Sequence, residues 1–217
     1  IEAFNIVYKF SPSNVRRFLD KLRMKFEART LKTLLRAKAA NLPLGETMRY
    51  VIPVGAFTMQ LCEELLKKKN LKELVESVPV KIFKIALERN WSYHEETENI
   101  FPLEVAVDKI SFEEIWNYVE DEMKGDDKRA AERVVGTEID TVNIKIVLRG
   151  KALDLNPSTI QEFLLGVRYR LRREVLESSI NARSVSEAAE ALAVYPYETV
   201  MYNALREYEK EKSLTAF

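Results

Sequence analysis

The sequence is poor in the residues that most often carry chemistry or make sharp turns: one cysteine, one histidine, six glycines and seven prolines in 217 positions. With Cys62 alone no intrachain disulfide can form, and a reducing compartment fits best. So few glycines and prolines exclude the many tight turns of a β-sandwich or barrel. The glycines, at 45, 55, 125, 136, 150 and 166, cannot be arranged as G-x-G-x-x-G or as a P-loop, and Gly150-Lys151 lacks the upstream glycine. His94 stands in Tyr93-His94-Glu95-Glu96-Thr97, without the second histidine of H-E-x-x-H, and reads as surface decoration. No Ser-His-Asp set is available with one histidine beside a charged loop. The longest apolar runs, near Tyr50–Phe57 and Ile144–Leu148, fall far short of the ~18–20 residues that span a bilayer. Neither charge is in excess: Lys plus Arg and Asp plus Glu both total 34, where a nucleic-acid binder shows a basic surplus. The chain opens on Ile1 with no signal-peptide pattern, and the missing methionine predicts residues upstream.

What is present is helical periodicity. With 47% hydrophobic and 31% charged residues the composition is globular, neither disordered nor membrane-like. A stripe runs from Val15 through Phe18, Leu19, Leu22, Phe26, Leu31, Leu34 and Leu35. Ser11-Pro12-Ser13 opens it with capping oxygens and a first-turn proline, and Asn41-Leu42-Pro43 closes it through the restriction that proline places on its predecessor. Shorter helices follow: one after Gly55 bearing Met59, Leu61, Leu65 and Leu66, one led by Asn70, and one begun by Pro79. Pro102 starts a longer one, and Gly125-Asp126-Asp127 breaks the series. A second long helix is expected over about 128–155, and Asn156-Pro157-Ser158 caps the next. Ser184-Val185-Ser186-Glu187 is a capping box. Cys62 falls on an apolar helix and is expected in the core. The fold class predicted is all-α.

The pattern occurs twice. Leu34–Leu42 recurs as Val147–Leu155, with Arg36 and Lys38 matched by Arg149 and Lys151, and Glu27 matched by Asp140 at the same spacing of 113 positions. Downstream, Gly55 pairs with Gly166, Leu65-Leu66 with Val175-Leu176, Leu71–Val78 with Val185–Leu192, and Ala86-Leu87 with Ala204-Leu205. Each copy is a long helix ending in an Arg-x-Lys signature and followed by a cluster of short helices, which depend on the long one to bury their apolar faces. The expected organisation is a first helical repeat over 1–124 and a second over 125–217, stacking into a curved, gripping body. Glu27 and Arg36, like Asp140 and Arg149, are nine residues apart and so lie on opposite helix faces. The arginines therefore need partners elsewhere, and Glu104 and Asp108, four apart on one face of the Pro102 helix, are preferred.

These residues resemble a known family. Leu31-Lys32-Thr33-Leu34-Leu35-Arg36-Ala37-Lys38, Ile52-Pro53-Val54-Gly55, and above all Ile139-Asp140-Thr141-Val142-Asn143-Ile144-Lys145-Ile146-Val147-Leu148-Arg149-Gly150-Lys151 look like the C subunit of the archaeal-type A/V-ATPases, whose counterpart in the vacuolar ATPase is the d subunit. Pro102-Leu103-Glu104-Val105-Ala106-Val107-Asp108 looks like the family's glutamate-bearing helix start. The likeness covers essentially the whole chain. Thr30 departs from it, standing where the second copy has Asn143. The resemblance implies a funnel-shaped body of three lobes, of which two are represented here, so a portion of a longer subunit is expected, its third repeat absent. It also implies a non-catalytic central-stalk subunit with no cofactor or metal, a socket between the rotor shaft and the membrane proteolipid ring. Torque passing through it would couple ATP synthesis or hydrolysis to ion transport. Such a subunit is cytoplasmic and peripheral to the membrane-embedded complex.

The sharpest charge feature is Arg168-Tyr169-Arg170-Leu171-Arg172-Arg173. On a helix, Arg168 and Arg172 would share a face with Arg170 elsewhere. Three readings stand: a solvated, salt-bridged face, a contact with an acidic partner through Arg168, Arg170 and Arg172, or a nucleic-acid contact. Lys67-Lys68-Lys69 and Glu207–Lys212 read as solvated helix ends. Against the rotor coupler stands a general helical-repeat adaptor binding a protein through its concave face. A nucleic-acid binder would require steep salt dependence, and an enzyme has no residue set behind it.

Overall fold

The apolar spacing translates into helices throughout the computed structural model, which describes residues Glu2–Phe217. The chain divides into two compact units at the Glu122/Met123 peptide. The first opens with α1 (Glu2–Phe10) and α2 (Ser13–Ala39). It continues through α3 (Leu44–Thr47), α4 (Met59–Leu66), α5 (Leu71–Glu76), α6 (Lys81–Arg89), α7 (Trp91–Thr97) and α8 (Phe101–Glu122). The second holds α9 (Gly125–Ala152), α10 (Pro157–Phe163), α11 (Arg173–Asn181), α12 (Val185–Leu192), α13 (Glu198–Glu211) and a 3-10 turn at Leu214–Ala216. Among the described residues there is no strand beyond a bridge in which Val54 and Phe57 exchange backbone bonds of 3.0 and 2.9 Å. None of these helices is long and apolar enough to cross a membrane.

In the first unit α2 and α8 lie along each other, and α4, α5 and α6 close the core around them. Leu31, Leu34 and Leu35 of α2 meet Leu103 and Val107 of α8, with Phe57, Phe83 and Leu87 completing the interior. Cys62 is fully buried there, as its apolar helix predicts. Every residue from Phe101 to Val107 is buried, polar Glu104 included, because α2, α6 and α7 all pack on α8. In the second unit α9 packs against α10, α11 and α12, and α12 carries α13. Val135, Ile139 and Val147 are fully buried apolar positions of α9, joined by Ile160, Ala188 and Leu192 from the short helices.

Both long helices end alike, and proline is not the cause. The N–H of Leu42 donates to the carbonyl of Ala37 at 2.9 Å, and Asn41 between them is left-handed at φ 51. The Leu155 N–H donates to Gly150 at 2.9 Å around Asp154 at φ 56. This is the Schellman stop, and asparagine and aspartate are among the few side chains that tolerate its left-handed residue. Pro43 merely follows. The second long helix also starts earlier than expected, at Gly125 rather than Lys128, and the break falls at Met123-Lys124. Asp126 and Asp127 sit in its first turn, where negative charge is favourable. Ser184 caps α12 by accepting the Glu187 N–H at 3.1 Å, but the Glu187 carboxylate accepts from Arg183, one residue before the expected Ser184. Asn70, Glu73 and Lys69 repeat that geometry at α5.

Candidate functional site

The signature acids are anchors for the segments that follow the long helices. Glu27, buried on α2, accepts the Ala56 N–H at 3.0 Å, and one turn further on the Thr30 hydroxyl donates to the Ile52 carbonyl at 2.7 Å. Gly55 lies against that carboxyl at φ 56, and a methyl there would overlap Glu27 Oε1. On α9, Asp140 accepts three successive backbone N–H groups, from Tyr169 at 2.9 Å, Arg170 at 2.6 Å and Leu171 at 3.1 Å. The Tyr197 phenol donates to the same carboxylate at 2.8 Å. Asn143, fully buried, donates to the Val167 carbonyl at 3.1 Å and accepts the Leu165 N–H at 2.8 Å. Thr30 thus does with a hydroxyl part of what Asn143 does with an amide, so its departure from the second copy's residue preserves a carbonyl tether. The Gly55–Gly166 match does not extend to this role. A methyl at Gly166 would meet nothing within 4 Å, and the residues facing the second acid are 169–171.

The basic ends of the signature have separate tasks. Arg36 Nε bonds the buried Glu104 carboxylate of α8, one of its two expected partners, while Asp108 instead takes Lys32 through two bonds of 2.6 Å. Burial, the larger effect, raises the Asp108 carboxyl above its ordinary value, and Lys32 opposes it. Lys38 donates to the carbonyls of Leu66 at 3.1 Å and of Lys68, satisfying the open C-terminal end of α4. The Lys67-Lys68-Lys69 run therefore contains a docking point for Lys38. Arg149 and Lys151 are half-buried at the end of α9, and Arg149 borders a hollow of about 250 Å³ with Lys145, Leu148 and Phe217.

The arginine cluster is not helical as far as Arg172. Residues 164–172 form an irregular segment, and α11 begins only at Arg173, so the helix-face pairing of Arg168 with Arg172 fails. The physical reason is Asp140, which takes the N–H groups of residues 169–171 away from any helical ladder. The chain instead alternates: Val167, Tyr169 and Leu171 turn inward, while Arg168, Arg170 and Arg172 are all exposed. The Tyr169 ring lies against Gly136, where a methyl would overlap its Cγ atom, and the Arg170 guanidinium stacks over that ring at 4.8 Å. The site is an arginine-bearing segment clamped to α9 from beneath. Sequence reasoning missed Tyr197, 57 positions from the acid it bonds, and Gly136, whose lack of a side chain admits Tyr169. His94 is likewise more than decoration. It is half-buried, its Nδ1 lies 2.9 Å from the Asn99 carbonyl, and its ring meets Trp91 edge-on at 5.1 Å.

A family model described as the ATP synthase (C/AC39) subunit matches residues 1–217. The chain belongs to that family. Among curated relatives, the C subunit of the A-type ATP synthase of Methanocaldococcus jannaschii is 31% identical over 217 residues, covering 100% of this chain and 54% of the relative. The proteins of the same name from Methanothermobacter thermautotrophicus and Pyrococcus furiosus are 27% and 25% identical, over 100% and 97% of this chain and 56% and 54% of their own lengths. The chain spans about half the length of the curated relatives it matches. No solved structure matched it. The Asp140–Asn143 clamp lies within the stretch that most specifically resembles the family.

Proposed function

We propose that the chain serves as a non-catalytic socket in the central stalk of an A/V-type rotary ATPase, seated between the rotor shaft and the membrane proteolipid ring and passing torque between them. The family match along all 217 residues carries the reading. A torque-bearing part needs rigid junctions more than reactive groups, and five polar side chains of the signature are committed to such junctions. Glu27, Asp140 and Asn143 hold segments to long helices, Arg36 ties α2 to α8, and Lys38 ties α2 to α4. We further propose that residues 1–124 and 125–217 are copies of one ancestral unit, since Glu27 with Thr30 and Asp140 with Asn143 use matched positions for matched tethers. The exposed Arg168, Arg170 and Arg172 are the proposed contact with an acidic partner surface, and the subunit is proposed to act at the cytoplasmic face, held to the membrane through the ring.

Native mass spectrometry of the full-length subunit with shaft subunits and detergent-solubilised proteolipid ring tests this. A stoichiometric complex weakened by charge reversal at Arg168 and Arg170 is expected. A complex indifferent to those changes would remove the arginines from the interface but leave the coupler. Failure to bind either partner would favour a helical adaptor with other clients.

A further inference from the structure

A second surface of the first unit has the composition of a recognition site. Between α1, α2 and the 52–55 segment lies a hollow of about 460 Å³. Phe4 and Tyr8 of α1 wall one side, and Pro53 and Val54 wall the other. Its floor is the stripe Arg23, Phe26, Arg29 on α2, an aromatic ring flanked by two guanidinium groups at three-residue spacing. Over six residues of helix that stripe runs about 9 Å. Arg23 lies 3.3 Å from Asp20 and 4.0 Å from Glu27, whereas Arg29 is exposed and has no acidic partner among the described residues. The Lys25 ammonium lies 5.0 Å from the Phe26 ring.

The backbone of the hollow leaves little for an extended peptide to pair with. The Ile52 carbonyl is taken by Thr30, Pro53 has no N–H, Val54 and Phe57 bond each other, and the Ala56 N–H goes to Glu27. Strand addition requires a row of open backbone groups. Recognition must therefore come from side chains, and an occupant whose own backbone is already satisfied fits best, namely a helix.

We propose that this hollow receives an amphipathic helix of a partner protein that presents a bulky apolar residue flanked by carboxylates three or four positions to either side. The apolar side chain enters between Phe4, Tyr8 and Pro53 over Phe26, and the carboxylates meet Arg23 and Arg29, the helix-in-groove arrangement with charge-assisted rim bonds. The size suits it, since pockets that enclose a ligand run from about 300 Å³ upward. The inference rests on the chain being assembled into the ATPase, because the helix is expected from another subunit.

The test places photoreactive benzoylphenylalanine at Phe26, and separately at Ile52, in the full-length subunit purified within the assembled ATPase. Irradiation followed by peptide mapping should join either position to one helical segment of another subunit, with a bulky apolar residue between acidic ones. Arg29→Glu should lower the yield at least fivefold, and changing a carboxylate of the captured segment to lysine should restore at least half of it. Cross-links confined to this chain, a captured segment without acidic flanks, or a yield unmoved by Arg29→Glu would each overturn the proposal. Absence of the chain from the purified complex would overturn the assembly reading as well, whereas its presence without an intersubunit cross-link defeats only the helix-in-hollow inference.

Discussion

Arg36 and Glu104 form a lopsided pair: the glutamate side chain is 3% exposed and the arginine that bonds it is 55% exposed. The burden of the interaction falls on the buried member. A carboxylate placed inside the α2–α8 seam is tolerable only while strong donors face it, whereas the exposed guanidinium keeps water on one side. Breaking the pair from either end therefore should not cost the same.

Arg36→Ala is expected to destabilise the chain by about 1–3 kcal/mol, because it strips a strong donor from a carboxylate that stays buried. Glu104→Leu should cost less, and adding it to Arg36→Ala should recover part of the loss. A urea-unfolding double-mutant cycle reads both numbers, and strictly additive effects would show that the pair is not coupled.

Asp140→Ala removes the acceptor for three backbone N–H groups and one phenol at once. A loss of about 3–5 kcal/mol is expected, along with rapid hydrogen exchange of the Tyr169, Arg170 and Leu171 amides. Tyr197→Phe leaves the three backbone bonds in place and should cost about 1–2 kcal/mol. Burial, then the bond to Asp140, pushes the Tyr197 phenol well above its ordinary value. The folded chain holds that proton more tightly than the unfolded one, so the stabilisation is complete below about pH 10 and fades as pH rises further. The advantage of wild type over Tyr197→Phe should shrink in the same window.

Asp108 shifts in the same direction, with burial again the largest cause and Lys32 opposing it. Its contribution to stability is greatest with the carboxyl protonated and declines as pH rises from about 3.9, the unfolded value, to the raised folded one. Urea titrations of wild type and Asp108→Asn across this range should show the wild-type advantage falling with pH. An advantage that grows with pH would mean that Lys32, not burial, governs the site.

Gly55 and Gly136 each lie hard against a side chain. Gly55→Ala combines a left-handed backbone with an overlap on the buried Glu27 carboxyl and should cost about 3 kcal/mol or more. Gly136→Ala meets Tyr169 at its Cγ and Cβ while Asp140 pins that residue's N–H, so a loss of similar size is expected, and Tyr169→Ala, which keeps the Cβ, should relieve only part of it. Thermal melts of the three variants and the double variant decide it.

Burial pushes the Cys62 thiol up to about 11, so little thiolate exists near neutral pH. Alkylation by iodoacetamide should be slow in the folded chain and rise by at least a hundredfold in urea, as followed by mass. Fast labelling without denaturant would place Cys62 on a surface that opens locally.

Much of the architecture was legible in the chain because it depends on local periodicity and capping. The stripe from Val15 to Leu35, the caps at Asn70, Asn156 and Ser184, and the scarcity of glycine and proline together require an all-helical chain. The recurrence of Leu34–Leu42 as Val147–Leu155 pointed to Glu27, Arg36, Lys38 and Asp140 before any of their partners was known. Their tasks were a matter for tertiary structure. Nothing local announces that Asp140 will take the N–H groups of residues 169–171, or that Tyr197 will reach it. The helical reading of the arginine cluster failed for that reason. Side-chain periodicity reports which face is apolar, but a buried carboxylate from a distant helix can outcompete the helical ladder for backbone donors, and only the packing of α9 against the segment beside it decides that competition.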